Sequence, residues 1–368
     1  MAGSEIRKRR SSRLAAAINS AGLEGVVIAP GPNLAYYTGV RAQLLERPFL
    51  LFVQKGGDAH LLAPKLETGP FTECGLHIRF HEWDDKEGPG RAFKELFAEI
   101  DSKHYWGCDG RVPFAFFEHL LQRGLMVKPA DRMLQSIREV KEQFELDLLR
   151  RSAGILAKSY QRIPDFLSEG MTERELSRLI VEESLAGGAE TVEMCMVQSG
   201  PRAADPHSET SSKKILKGES IVIDSVSFYE GYAADITRTF AIGRNPAFEK
   251  VYSSVLEAQH KAIEAAEEGV EVGKVDAAAR KSLTRDGLGE RFIHRTGHGL
   301  GLEVHEAPYI VPGGKERLKA GMVFTVEPGA YIPGRLGVRI EDDLAVSADG
   351  KCEVITGSLP GEYGWWRR

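Results

Sequence analysis

The feature that most constrains this chain is an order of elements that occurs twice. Helical patterning followed by strand signals runs from about 137 to 242 and again from 245 to 346. Each pass ends in a hairpin pattern with one acid per arm. The first is VIDSVSFYEGYAADITRTF (222–240), with Asp224 and Asp235; the second, over 322–346, carries Glu327 and Glu341. Asp224 to Glu327 spans 103 positions and Asp235 to Glu341 spans 106. That spacing reads as a diverged internal duplication, two half-domains facing each other.

Alternation along the first hairpin fixes its geometry. With Glu230-Gly231 as the turn, Tyr229 pairs with Tyr232, Asp224 with Thr237, and Asp235 with Val226. The two acids then share a face on a diagonal, with Cβ atoms roughly 7–8 Å apart. Bare carboxylates there would repel each other and lose hydration, and a bound cation removes both costs. The same reasoning applies to Glu327 and Glu341 if their strands pair across PGAYIPGRLG (328–337). Four converging carboxylates call for two divalent cations, which two-metal hydrolytic sites hold about 3.5–4 Å apart. His298, between glycines in HRTGHGLGLEVHEAPYI (294–310), is the candidate fifth ligand. Oxygen ligands with one imidazole suit Mn²⁺, Co²⁺ or Fe²⁺ better than a structural zinc site.

The rest of the chain sets the frame. Residues 1–135 alternate helix and strand signals: a first helix with Leu14 and Ile18 on one face, a strand at 23–30, two strands over 49–63 around a Lys55-Gly56-Gly57-Asp58 turn, a strand end at 104–110 and a helix at 114–124. This predicts an α/β domain over 1–135 and a second domain over 136–368. The second opens with one long helix from near Ile137, which Pro164 ends. Thr172 with Glu175 forms a capping box, and Asn245-Pro246 caps a later helix. With 368 residues, 42% hydrophobic and 27% charged, there is enough apolar material for two cores. A net charge of -5 argues against a nucleic-acid partner, and the basic run Arg7 to Arg10 reads as a solvated helix start. No apolar run is long enough to span a membrane. The N-terminus lacks a signal-peptide pattern. Cys74, Cys108, Cys195 and Cys352 form no CxxC pair, so reduced thiols and a cytoplasmic location are expected.

On these residues a family resemblance rests. DSVSFYEGYAADITRTF, GHGLGLEVHE, VEPGAY and GVRIEDD resemble the metal motifs of the prolidase and aminopeptidase P group of pita-bread metallopeptidases, with Asp, Asp, His, Glu, Glu at intervals of 11, 63, 29 and 14. NLAYYTG (33–39) and REVKEQFELDLLRRSA (138–153) extend the resemblance along nearly the whole chain. It implies a creatinase-like N-terminal α/β domain and a C-terminal α+β pita-bread domain with pseudo-two-fold duplication. It also implies two divalent ions, Mn²⁺ first, with Co²⁺, Fe²⁺ or Zn²⁺ as alternatives. Asp224 and the pair His298 and Glu327 would each serve one metal, and Asp235 and Glu341 would bridge. A hydroxide between the metals would attack the peptide bond before proline. Glu327 would handle its proton, His207 and His305 would face the substrate, and Arg339 would brace the site. The remaining histidines, His60, His77, His81, His104, His119, His260 and His294, read as structural or surface groups. Relatives are commonly homodimers, which is the expectation here.

Two departures bear on specificity. Val226 stands where family members commonly carry glycine, and Tyr309 where some prolidases place an arginine for a dipeptide's carboxylate. The second favours an Xaa-Pro aminopeptidase slightly over an Xaa-Pro dipeptidase. The competing readings are a non-peptidase metal-dependent enzyme on this fold and a ligand-binding module of the same fold. Creatine-type amidinohydrolases lack the metal set, and methionine aminopeptidases fit the 14-residue glutamate spacing and two-domain layout less well.

Overall fold

The structure, a computed structural model, describes residues 2–361 and 364. Two compact units part between Arg138 and Glu139.

The first unit runs α1 (Ala2–Ser20), β1 (Gly25–Ile28), α2 (Pro32–Thr38), β2 (Leu50–Gln54), β3 (Ala59–Pro64), α3 (Gly69–Thr72), β4 (Ile78–Trp83), α4 (Gly90–Glu99), β5 (Trp106–Cys108), α5 (Phe114–Gln122), β6 (Val127–Pro129) and α6 (Asp131–Arg138). Its strands form one mixed sheet in the order β4-β3-β2-β1-β5-β6. Both faces are covered. Leu51, Val53 and Leu61 pack with Leu14, Ile18 and Leu34 on one side, and Phe52 and Leu62 with Phe93, Leu96 and Leu120 on the other. Strands buried on both faces read as continuous apolar runs, as GVVI and LLFV do. The short α2 and the strand β4, with charged residues in IRFHEW, carried no clear periodic signal.

The second unit runs α7 (Gln143–Phe166), α8 (Glu173–Ala186), β7 (Thr191–Ser199), β8 (Ser220–Tyr229), β9 (Tyr232–Ala241), α9 (Pro246–Ala265), α10 (Val272–Arg285), β10 (Gly297–Gly299), β11 (Glu306–Ile310), β12 (Val323–Val326), β13 (Gly329–Ile332), β14 (Leu336–Arg339), β15 (Asp342–Val346) and β16 (Cys352–Val354). Two helices followed by strands thus occur twice. The sheets are β7-β8-β9, β11-β10-β12-β15-β16 and β13-β14. One core joins the two passes: Tyr160, Leu176, Ile223 and Ile236 from the first, Val255, Ala279, Phe324 and Val338 from the second.

The long helix departs from the sequence expectation. α6 ends at Arg138, the chain extends through Val140, which bridges Met322, and α7 starts at Gln143. The apolar spacing of Ile137, Val140 and Phe144 mimics a helix across this break. The competing signal is local: the Glu145 carboxylate accepts the Glu142 N–H at 2.9 Å, closing the first turn of a new helix. Pro164 does not end α7, which continues to Phe166. Pro164 removes a single rung of the helical ladder, and the helix closes beyond it with the Leu167 N–H on the Ile163 carbonyl.

Candidate functional site

The β8–β9 hairpin has the register that alternation dictates: Tyr229 opposite Tyr232, Asp224 opposite Thr237, Val226 opposite Asp235. Glu230 (φ 47°) and Gly231 (φ 81°) both turn left-handed, as a two-residue turn that follows strand twist requires. On the other side, β7 sets Met196 opposite Asp224 and Met194 opposite Val226. One face of the sheet therefore presents two aspartates over an apolar floor of Met194, Met196 and Val226, all lining one cavity.

The second pair of acids is placed differently. The β12–β15 ladder ends at Val326 opposite Asp342, and the β13–β14 ladder starts at Gly329 opposite Arg339. Glu327 and Glu341 fall between the two ladders, in the same register, so they face each other directly rather than on a diagonal. Three hydrogen bonds at Thr237, Asp235 and their partners help stitch the hairpins together. Glu341 N–H donates to the Thr237 carbonyl at 3.0 Å, and Thr237 Oγ1 donates to Glu341 Oε2 at 2.6 Å. Asp235 N–H donates to Asp343 Oδ2 at 3.1 Å.

His298 enters on β10, held between β11 and β12. A Cβ on Gly297 would collide with the Thr325 carbonyl, and one on Gly299 with the Ala307 carbonyl, so only glycines allow this approach. His298 Nδ1–H donates to the Gly299 carbonyl at 3.2 Å. Nε2 is thereby left with its lone pair, 3.4 Å from Glu327 Oε1 and 3.7 Å from Asp235 Oδ2. Asp235, His298 and Glu341 each offer a donor atom within 4.8 Å of the others. A cavity of about 630 Å³ collects all eight residues singled out in the sequence: His207, Asp224, Asp235, His298, His305, Glu327, Arg339 and Glu341. Pockets for small ligands run from roughly 300 to 1,000 Å³. His207 and His305 are exposed at its wall, and the His305 ring stands edge-on to His298 with centroids 4.2 Å apart.

The electrostatics of the cluster are those of a cation site. Burial, then the neighbouring carboxylates, pushes Asp235 and Glu341 well above the ordinary range. Burial pushes Glu327 up to about 7 against the pull of Arg339. Burial, then His305, brings His298 down to about 3, keeping the imidazole neutral. Asp224 Oδ1 and Asp235 Oδ1 are buried with no hydrogen-bond partner among the described residues. Orphaned carboxylate oxygens beside a neutral imidazole nitrogen fit divalent cations and little else.

Arg339 is not spent on Asp342 or Asp343, the plainest structural alternative, because Arg238 takes Asp342 at 2.7 Å. Its own guanidinium donates to Asp224 Oδ2 (2.6 Å), Thr237 Oγ1 (3.1 Å) and the Tyr331 hydroxyl (2.8 Å). Tyr331 in turn donates to His294 Nε2 at 2.9 Å, and His294 Nδ1–H donates to the Arg295 carbonyl at 2.7 Å. His294, read from sequence as a structural or surface group, is therefore a wall of the cavity, 3.9 Å from Glu327. Burial, then Arg339, lowers its pKa to about 4. The segment is pinned from α10: Asp276 accepts from Thr296 and Arg280, and Arg280 donates to the Phe292 and His294 carbonyls. Sequence reasoning also missed Tyr331, Thr237 and Arg295. The available hint was spacing: His294 precedes His298 by four residues, and Tyr331 follows Glu327 by four. Nothing in a loop or a split strand says that such neighbours share a face.

Comparisons with known proteins agree with this architecture. Residues 10–140 match the creatinase/prolidase N-terminal domain, and residues 147–348 match metallopeptidase family M24. The chain is 37% identical over 356 residues to a Mycobacterium tuberculosis protein named probable dipeptidase PepE, covering 95% of this chain and 94% of that one. It is 33% identical over 335 residues to an Xaa-Pro dipeptidase of Pyrococcus horikoshii, covering 89% and 91%. The crystal structure of a dipeptidase from Pyrococcus horikoshii superposes with a TM-score of 0.90 at 35% identity, over 96% of this chain and 98% of that one. A paired-carboxylate centre on a duplicated frame and these matches lead to one assignment: the chain belongs to metallopeptidase family M24, with a creatinase/prolidase N-terminal domain followed by a pita-bread metallopeptidase domain.

Proposed function

We propose that this protein is a metal-dependent exopeptidase that cleaves between an N-terminal residue and proline. The observation that carries the reading is the convergence of three buried carboxylates, the part-buried Glu327 and His298 Nε2 over the apolar floor of Met194, Met196 and Val226. Asp224, Asp235, His298, Glu327 and Glu341 would hold two divalent ions, with Asp235 and Glu341 serving both. When bound, these ions supply hydroxide near neutral pH and polarise the scissile carbonyl. Glu327 takes up the attacking water's proton at its carboxylate and returns it to the leaving proline nitrogen. His207 and His305 orient the carbonyl oxygen from the exposed wall. Arg339 fixes Asp224, and the apolar floor receives the proline ring. Mn²⁺ is the favoured ion.

Substrate length turns on Arg295. The preference for longer peptides rested on Tyr309 replacing an arginine. The Arg295 guanidinium lies 5.0 Å from the Tyr309 ring centroid and also lines the cavity. A cation thus reaches the ring's surroundings from β10's approach, which removes the reason for preferring longer substrates and suits a dipeptide's free carboxylate. The test is an Mn²⁺-loaded assay of Xaa-Pro dipeptides, their C-terminal amides and Xaa-Pro-Yaa tripeptides. Dipeptides are expected to turn over fastest. Arg295→Met should raise KM for the dipeptide roughly tenfold or more and leave the amide nearly unchanged. Cleavage of none of these by protein carrying metal would refute the reading.

A further inference from the structure

Outside the carboxylate centre, one cluster in the first unit has the makings of a ligand set. His60 on β3 and His81 on the edge strand β4 are 1% and 4% exposed, and their rings stack at 5.3 Å between centroids. His60 Nδ1 lies 3.0 Å from His81 Nε2 and 3.8 Å from Glu99 Oε2, at the last residue of α4. A tetrahedral ion with bonds of about 2.0–2.1 Å separates its ligand atoms by roughly 3.3 Å, and the two observed spacings bracket that value. The remaining nitrogen of His60, Nε2, has Gln54 Nε2 at 3.2 Å. A side-chain amide can present its oxygen as readily as its nitrogen. It can therefore orient a metal-bound imidazole from behind, as such ligands require.

We infer that His60, His81 and Glu99 form a second cation site, for a zinc-class divalent ion with water completing the tetrahedron. Burial first lowers both histidine pKa values, so both imidazoles are neutral at neutral pH. The hydrogen bond between them at 3.0 Å gives way when His60 carries its proton on Nε2, toward the Gln54 amide, and the two facing nitrogens then both offer lone pairs. The surrounding carboxylates Asp58, Glu95 and Glu99 make the locality attractive to a cation. Arg79 opposes it, donating to Glu99 Oε2 at 2.7 Å, but its side chain is 57% exposed and can turn into water at little cost. Two nitrogens and one oxygen favour zinc over the harder ions that suit the carboxylate centre. Bound there, the ion ties β3, β4 and the end of α4 together.

The test uses the full chain carrying Asp235→Asn and Glu341→Gln, with or without His81→Gln. Both proteins are stripped with chelator, dialysed against Zn²⁺ and analysed for zinc. The His81→Gln form is expected to hold one equivalent less and to lose a zinc-dependent rise in Tm. Co²⁺ in place of Zn²⁺ should give intense visible bands of a tetrahedral site that vanish with His81→Gln. Glu99→Gln, at a partly exposed position that does not endanger folding, should weaken zinc binding about tenfold or more. In the otherwise native chain, His81→Gln should leave Mn²⁺-supported peptidase activity unchanged, separating this site from the carboxylate centre. Equal zinc content with and without His81→Gln, or unaltered zinc affinity in Glu99→Gln, overturns the assignment.

Discussion

At the scale of single residues, the centre depends on a line of hydrogen bonds running Asp224, Arg339, Tyr331, His294. The phenol accepts from Arg339 and donates to His294, so it fixes both an arginine and an imidazole tautomer. Tyr331→Phe leaves the ring and removes only that relay. Its kcat should fall roughly 10–100-fold with metal content retained, measured by steady-state kinetics beside elemental analysis. His207→Ala should likewise keep its metal and lower the rate, since His207 stands exposed on the cavity wall and not among the clustered donor atoms. A metal-free His207→Ala protein would contradict that placement. Asp235→Asn or Glu341→Gln should reduce activity to background, and full turnover by either would refute the shared-ligand assignment. The gathering of Asp224, Asp235, His298, Glu327 and Glu341 in one cavity was legible because three residue types stand at five positions with specific spacing. His294 and Tyr331 were not, because their roles come from tertiary hydrogen bonds made by residues whose types are common everywhere.

At the scale of elements, the β8–β9 hairpin determines whether the centre exists. A slip of one residue would send Asp224 and Asp235 to the face opposite the cavity. The turn is the guard, and it carries a flaw: Glu230 sits at φ 47°, a conformation that costs an ordinary side chain and suits asparagine. Glu230→Asn should stabilise the protein by about 0.5–1 kcal/mol without altering kcat, checked by chemical denaturation and assay. This hairpin could be read from sequence because turn and alternation agree. The Glu327–Glu341 pair could be placed only in outline. Its strand divides into two ladders, and the acids stand at the junction where alternation no longer reports the partner. The α6–α7 break was hidden for the converse reason: apolar spacing persisted through a segment that is extended.

At the scale of the whole molecule, buried carboxylates make stability depend on pH and on metal together. Without cations, the folded chain holds protons on Asp235, Glu341 and Glu327 that the unfolded chain releases near its ordinary carboxyl pKa of about 4. The stability from those protons is complete below about pH 4 and drains as pH climbs through about 7, where Glu327 titrates. Chelator-treated protein should therefore melt lower at about pH 8 than at about pH 5. Mn²⁺ should reverse the order, because its ligands bind deprotonated and its affinity grows with pH. Calorimetry at the two pH values, with and without Mn²⁺, decides. A metal-free chain equally stable at both would show that these acids are not held protonated.

The glycines flanking His298 have a consequence for anyone wishing to redesign this enzyme. The imidazole is aimed by missing side chains: neighbouring carbonyls occupy the space that any Cβ at 297 or 299 would need. Diversity introduced there is wasted, since every alternative pushes His298 away before it can change selectivity. Met194, Met196 and Val226 have no such constraint on their chemistry, because they contribute surface and volume instead of donor atoms. A library that fixes 297–299 and varies those three floor positions would search for new substrates while leaving the ligand set of the centre in place.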